Sequence, residues 1–177
     1  MKTVIGVMGS AHGDLTAELK EKARIIGAQI ARNGYVLATG ACPGLPLEAA
    51  IGATENNGIV LGFSPAENEE KHVSTYNFPL QPFTAMIFTG FGLKGRAVIN
   101  IRSCQAVIFI SGRIGTLNEF TLAFSEGKII GVLTETGGFS AELHRMSEQF
   151  GVSPKKPIIF ETDPVVLVKK VSDNLKK

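Results

Sequence analysis

The sequence has few cysteines and histidines, the residues that form disulfide frameworks and many metal sites. Its 177 residues include only two cysteines, Cys42 and Cys104, which lie far apart and outside any CxxC pair. A disulfide framework or a zinc site is therefore not expected. The three histidines have no metal-ligand spacing, and we expect them in loops or at the surface, with His12 the one placed where a ligand could lie. No metal site is predicted.

Neither an excess of one charge nor a long apolar stretch dominates the chain. The net charge of +2 is too small to indicate a nucleic-acid or membrane surface. No apolar run approaches the length of a membrane span, and the N-terminal residues have no signal-peptide pattern. We therefore expect a cytoplasmic protein without a membrane or nucleic-acid partner, folded as a single domain over residues 1–177.

The pattern that is present is an alternation of short β-rich runs with longer helical ones. It predicts strands at 3–8, 35–38, 59–63, 85–88, 106–110, 128–133 and 157–160, and helices at 14–32, 46–54, 93–103, 116–126, 139–150 and from 163 onward. Such alternation indicates a Rossmann-like, doubly wound α/β fold with a mostly parallel sheet and helices on both faces. Residues 64–84, broken by prolines, are expected to form a long loop used for function or as an interface.

Glycines gather where the predicted strands end. In open α/β sheets, ligands bind beyond the carboxyl ends of the strands. We therefore predict a ligand site built from Gly9 and Ser10 after the first strand, Gly40 and Gly44 after the second, Gly90 after the fourth, and Gly112 and Gly115 after the fifth.

The common motifs for such sites are absent from the sequence. The first strand is not followed by GxGxxG, and the second ends in Ala38-Thr39-Gly40 with no acidic residue to bind a ribose. An ordinary NAD site is therefore not indicated. The sequence also lacks the GxxxxGK[ST] loop of P-loop nucleotidases and the GxSxG elbow of serine hydrolases.

The stretch ISGRIGTLNEF, residues 110–120, fits a phosphate better. Gly112 and Gly115 let the backbone approach an anion, Thr116 offers a hydroxyl, and Arg113 could add a charge-assisted contact. The N-terminus of the following helix would favour negative charge. An alternative of equal weight is a capping box, in which Glu119 reaches back to the backbone of Thr116. The two roles can coexist.

Two segments carry a resemblance to a known family. Residues 96–119, RAVINIRSCQAVIFISGRIGTLNE, and residues 39–45, TGACPGL, resemble the LOG (lonely guy) family, whose members are often labelled lysine decarboxylases. The sequence TGFG at 89–92, followed by RAVINIRSCQAVIFI, resembles more closely the DprA/Smf-related branch, which includes molybdenum-cofactor carrier proteins.

The resemblance implies a homo-oligomer, a dimer or tetramer, that hydrolyses the N-glycosidic bond of a nucleoside 5'-monophosphate. It implies that Arg96 and Glu119 are catalytic and that Gly112, Gly115 and Thr116 hold the phosphate. Three positions depart from the family pattern: Ser111 replaces a proline, Arg113 a glycine and Ala97 a lysine.

These three differences from the family pattern are more compatible with binding of a phosphorylated ligand than with one particular reaction. The sequence thus leaves three interpretations open: a nucleotide hydrolase, a non-catalytic carrier or sensor of a molybdopterin-type ligand or nucleotide, and an interaction module whose glycines only make turns. No cofactor is required by any of them.

Overall fold

The computed structural model describes residues 1–149 and 154–177. Within these ranges strands and helices alternate along the chain. The elements are β1 (Val4–Gly9), α1 (Ala17–Arg32), β2 (Val36–Thr39), α2 (Leu45–Glu55), β3 (Ile59–Ser64), α3 (Glu69–Ser74), β4 (Ala85–Phe88), α4 (Gly92–Ser103), β5 (Ala106–Ile110), α5 (Ile114–Ser125), β6 (Ile129–Leu133), α6 (Ser140–Gln149), β7 (Ile158–Glu161) and α7 (Pro164–Leu175). None of the described helices is both long and apolar enough to cross a membrane.

The described strands form one sheet in the order β4-β3-β2-β1-β5-β6-β7, with every neighbouring pair parallel. The chain runs outward from β1 to β4 and then returns to place β5 against the other side of β1. Gly9, at the end of β1, pairs with Ile110, at the end of β5. This reversal of strand order is the kind of position at which such sheets bind ligands. The predicted fold class is confirmed.

Hydrophobic cores cover both faces of the sheet. Along β5, Ile108 and Ile110 face the core formed with α1, α2 and α7, whereas Val107 and Phe109 face the core formed with α4, α5 and α6. Successive side chains of a strand point to opposite faces, and strands buried on both sides are apolar throughout. The continuous run Ala106–Ile110, all of it buried, therefore places β5 in the centre of the fold.

The segment 64–84 contains a helix that the sequence analysis did not predict. The side chain of Asn68 caps α3 by accepting a hydrogen bond from the backbone N–H of Lys71. His72, predicted in a loop or at the surface, is instead fully buried on α3. Its Nδ1 lies 2.8 Å from Ser64 Oγ and its Nε2 lies 3.0 Å from the Pro79 carbonyl oxygen, so that it holds this segment against the end of β3.

Helix ends also differ from the prediction or fall outside it. Helix α1 begins at Ala17, three residues after the predicted start at Asp14, with Thr16 as its N-cap. Helix α5 begins at Ile114, two residues before the predicted start at Thr116. The predicted end of the sixth helix, Phe150, lies outside the described residues.

Candidate functional site

A cleft of about 890 Å³ opens at the carboxyl edge of the sheet. It lies between the loops that follow β1, β2 and β5 and the first turns of α4 and α5. Its volume falls within the roughly 300–1,000 Å³ typical of sites for small molecules and cofactors. The position beside the β1–β5 reversal is the one that the fold predicts for a ligand.

Most of the predicted site residues meet in this cleft although they come from four separate parts of the chain. Those that line it are Gly9, Ser10, Gly40, Arg96, Arg113, Gly115, Thr116 and Glu119. The other three, Gly44, Gly90 and Gly112, lie outside the lining.

The three glycines outside the lining join the loops to one another. The Gly112 N–H donates to Ser10 Oγ at 2.9 Å, and the Gly90 N–H donates to the Ala66 carbonyl oxygen at 2.9 Å. Gly44 has φ of 79° and packs against the backbone of Ser10, where a side chain would overlap it. These contacts shape the rim of the cleft, and a direct role for the three in ligand binding stays a prediction.

Arg96 and Glu119 face each other at the base of the cleft. Arg96, on α4, is 6% exposed, and its Nη1 lies 4.0 Å from Glu119 Oε1 on α5. Its Nε is buried and has no hydrogen-bond partner among the described residues. The guanidinium occupies the space that a side chain at position 40 would need, so Gly40 makes room for Arg96.

Burial changes the titration of the acidic and thiol groups in the cleft. It raises the pKa of Glu119 from 4.5 to about 7, against the opposing effect of the Arg96 charge. Burial likewise raises the pKa of the Cys42 thiol to about 11. Near neutral pH, Glu119 can therefore gain or lose a proton, whereas Cys42 is a neutral thiol that contributes packing rather than charge.

The N-terminus of α5 opens into the cleft without a side-chain cap. Its N-cap residue is Arg113, whose side chain makes no capping hydrogen bond within the described part of the chain. The first backbone N–H groups of a helix have no intrahelical partner. Gly115, in this first turn, lines the cleft, and apart from its chain neighbours and its own helix backbone no described atom lies within 4 Å of the place where a Cβ would stand.

The capping-box alternative for Thr116 and Glu119 is wrong. Because α5 begins at Ile114, Thr116 lies inside its first turn rather than at the N-cap. The Thr116 side chain is buried against Gly112, and Glu119 is directed toward Arg96. The spacing that resembles a capping box instead places both side chains on the cleft side of the helix.

Sequence reasoning missed the apolar walls of the cleft and one of its cations. Leu93 is 52% exposed and Ile114 is 76% exposed, and both line the cleft together with Phe78 and Lys94. Leu93 and Lys94 follow Gly92 at the start of a predicted helix, so their position at the carboxyl edge was available from the pattern. Phe78 lies in the segment 64–84, whose path the pattern did not define.

The chain has a Rossmann-like fold with a cleft, the candidate ligand site, at the reversal of its strand order. The sequence matches the SLOG cluster4 family over residues 2–166, and the chain belongs to that family. It is also 31% identical over 130 residues to an uncharacterised protein of Archaeoglobus fulgidus, an alignment that covers 73% of this chain and 78% of that protein.

Two solved structures are similar over nearly the whole chain. The molybdenum cofactor carrier protein of Chlamydomonas reinhardtii superposes with a TM-score of 0.77 and 28% identity, covering 100% of both chains. The molybdenum cofactor binding protein of Rippkaea orientalis superposes with a TM-score of 0.79 and 26% identity, covering 99% of this chain and 98% of that one. The resemblance to the branch with molybdenum-cofactor carriers is thereby confirmed.

A third structure shows the fold alone. DNA processing protein A of Helicobacter pylori, described as binding single-stranded DNA, superposes with a TM-score of 0.63 at 17% identity, covering 98% of this chain and 80% of that one. That this chain has no nucleic-acid partner stays a prediction.

Proposed function

We propose that this protein binds a phosphorylated heterocyclic ligand, of the molybdopterin or nucleotide class, in the cleft. The observation that carries the proposal is the incomplete pairing of Arg96. A buried charge is costly unless it is paired and hydrogen-bonded. Arg96 is buried, its one ion-pair contact in the described structure is 4.0 Å long, and its Nε lacks an acceptor. An oxyanion would supply the missing acceptors, since guanidinium groups bind phosphate in a bidentate manner.

The charge balance of the cleft supports an anionic ligand. Among the described residues that line it, Lys94, Arg96 and Arg113 are basic and Glu119 is the one acid. The open N-terminus of α5 adds N–H donors and a favourable dipole, worth about 0.3–1 kcal/mol when exposed and up to about 2 kcal/mol when partly buried. Several such contributions line the same cleft.

The apolar walls support a flat ring as the other part of the ligand. Leu93 and Ile114 stand at the N-terminal turns of α4 and α5 with much of their surface exposed, and Phe78 lines the same cleft. A pterin or purine ring between them would cover apolar surface that is otherwise in contact with water. The similarity to the two molybdenum-cofactor proteins favours the pterin.

A binding comparison tests this proposal. Fluorescence titrations with a phosphorylated pterin and with AMP would be done on the wild type, Arg96→Gln and Arg102→Gln. Arg102 is the matched control because it lies on the same helix but is exposed and paired with Glu126. We expect Arg96→Gln to lose at least about tenfold in affinity, which is about 1.4 kcal/mol, and Arg102→Gln to bind like the wild type. Equal binding by all three would reject the proposal.

A second candidate function is hydrolysis of a nucleoside 5'-monophosphate, and the position of Glu119 favours it. A buried carboxyl with a pKa of about 7 is suited to general acid–base catalysis near neutral pH. As a carboxylate, it would take a proton from a water that attacks the anomeric carbon. The N-glycosidic bond would break, the base would leave with its bonding electrons and a proton, and ribose 5-phosphate would form.

The hydrolase proposal is tested separately from binding. The wild type and Glu119→Gln would be incubated with AMP and other nucleoside monophosphates, and the free base measured. We expect Glu119→Gln to release base about 10²–10⁴ times more slowly. Absence of release from every monophosphate would reject hydrolysis and leave binding in place.

We also propose that the chain acts as a single domain in a homo-oligomer in the cytoplasm. Exposed apolar side chains near β4, such as Ile87 and Phe91, support self-association. Light scattering after size exclusion would give the mass directly, and a monomer at micromolar concentration would contradict the oligomer.

A further inference from the structure

Glu119 and a bound anion would compete for the same guanidinium. Glu119 is the acid whose oxygen lies 4.0 Å from Arg96 Nη1, and both side chains are largely buried at the base of the cleft. A second negative charge placed on Arg96 would lie within a few ångströms of the Glu119 carboxyl. Like charges at that distance in a poorly solvated site do not both stay ionised.

We infer that Glu119 binds the ligand as a neutral acid. When an oxyanion binds the Arg96 guanidinium, the Glu119 carboxyl becomes protonated, and its O–H donates a hydrogen bond to the ligand. The inference rests on the proposed anion site and adds how pH regulates it. With an anion on Arg96, Glu119 is then an acid and not the water-deprotonating base of the hydrolase candidate. A carboxylate only accepts hydrogen bonds, whereas the protonated form has one donor. One proton is taken up from solvent for each anion bound, wherever the free protein holds Glu119 ionised.

The other charged and titratable groups that line the cleft with Glu119 allow this protonation. Arg96 and Lys94 come from α4, Arg113 from the start of α5, His12 from the loop after β1 and Cys42 from the loop after β2. Among the described residues, Arg96 is the cation that contacts the carboxyl, and a bound anion would compete for that contact. Burial, which already raises the pKa of Glu119 to about 7, then acts without its main opposing influence.

Calorimetry with sulfate tests the inference, because sulfate is a tetrahedral dianion that, unlike phosphate, does not titrate near neutral pH. Titrations of the wild type in two buffers with different ionisation enthalpies count the protons taken up. We expect close to one proton per sulfate at about pH 8, close to none at about pH 5.5, and an affinity that falls about tenfold between pH 6 and pH 8, as linkage to one proton with a pKa near 7 requires.

Three variants sharpen the result. Glu119→Gln, whose amide can donate as the neutral acid does, should take up no proton and bind sulfate at pH 8 as tightly as the wild type does at pH 5.5. Glu126→Gln, a matched change at the far end of α5, should behave like the wild type. His12→Asn should also keep the proton uptake.

Each alternative outcome has a distinct meaning. Sulfate binding by the wild type at pH 8 without proton uptake, or proton uptake that is lost in His12→Asn and kept in Glu119→Gln, overturns the inference while the anion site stands. Failure of sulfate to bind the wild type at any pH overturns both this inference and the proposed anion site.

Discussion

At the scale of single residues, the site depends on Gly40 as much as on Arg96. Gly40 is the first residue after β2, and the Arg96 guanidinium lies where a side chain at this position would be. Gly40 was predicted as a residue of the ligand site, and the structure places the Arg96 guanidinium against its backbone. The arginine is thereby held at the base of the cleft with one face covered.

Gly40→Ala should therefore displace Arg96. We expect a loss of at least about tenfold in affinity for sulfate and a destabilisation of about 1–3 kcal/mol from overpacking. Sulfate titration and urea unfolding would measure the two effects. Unchanged sulfate affinity would show that anion binding does not require the Arg96 guanidinium to lie against Gly40.

Ile114→Ser should weaken the binding of the ligand's ring without changing the binding of its anionic group. Ile114 is 76% exposed at the cleft, so its loss should cost the folded protein little. We expect weaker binding of a phosphorylated pterin, by several-fold, with sulfate affinity unchanged. Val165→Ser, an exposed apolar change on α7, is the control and should alter neither. An equal loss for pterin and sulfate would contradict a separate ring wall.

The free energy of unfolding should depend on pH through the protonation of Glu119. Its pKa is 4.5 in the absence of the fold and about 7 within it, so the folded state binds this proton more tightly. The stabilisation is fully present below pH 4.5 and is lost as the pH rises through about 7.

Urea unfolding of the wild type and Glu119→Gln over this pH range measures that effect. We expect the wild type to lose stability relative to Glu119→Gln by about 1.4 kcal/mol for each unit of pKa shift, or on the order of 3–4 kcal/mol for the whole shift from 4.5 to about 7. A difference between the two proteins that stays constant with pH would show that Glu119 titrates as it does in the unfolded chain.

At the scale of elements, α1 and α2 pack with their backbones in close approach. A Cβ on Gly27 would overlap the carbonyl oxygen of Ala49, and one on Gly52 would overlap that of Arg24. The two glycines thus set the distance between the helices that cover one face of the central strands.

Gly27→Ala should destabilise the protein although alanine is the better helix former by about 1 kcal/mol. The clash is with backbone, which cannot move aside as a flexible side chain can, and we expect a net loss of about 1–3 kcal/mol in urea unfolding. Gly115→Ala, at an open position in the first turn of α5, is the stability control and should cost nothing. A gain in stability for Gly27→Ala would contradict the close packing.

The elements themselves were largely predictable from hydrophobic period, and the exceptions have physical reasons. Helix α3 has six residues, too few for a helical period to be recognised, and only Asn68 signals its start. The start of α5 at Ile114 was not predicted because its N-cap residue, Arg113, makes no side-chain capping hydrogen bond. The sequence predicts the start at Thr116, the apparent capping residue, which instead lies inside the first turn.

At the scale of the whole molecule, the site exists because β1 and β5 are neighbours. That pairing brings Ser10 beside Ser111 and Gly112, and it sets α4 and α5 against the same edge, with Arg96 facing Glu119. The sequence predicted that glycine loops would share one rim, since all parallel strands end there. It did not predict strand order, because β1, β2 and β5 are each largely buried and apolar and carry no mark of which neighbour they pair with.

A crystal structure of the protein grown with a phosphorylated pterin tests the proposed site most directly. We expect the phosphate within hydrogen-bond distance of Arg96 and of the backbone N–H groups in the first turn of α5, with the ring against Leu93 and Ile114. A pterin bound elsewhere, with the Arg96–Glu119 contact intact and the cleft open, would contradict it.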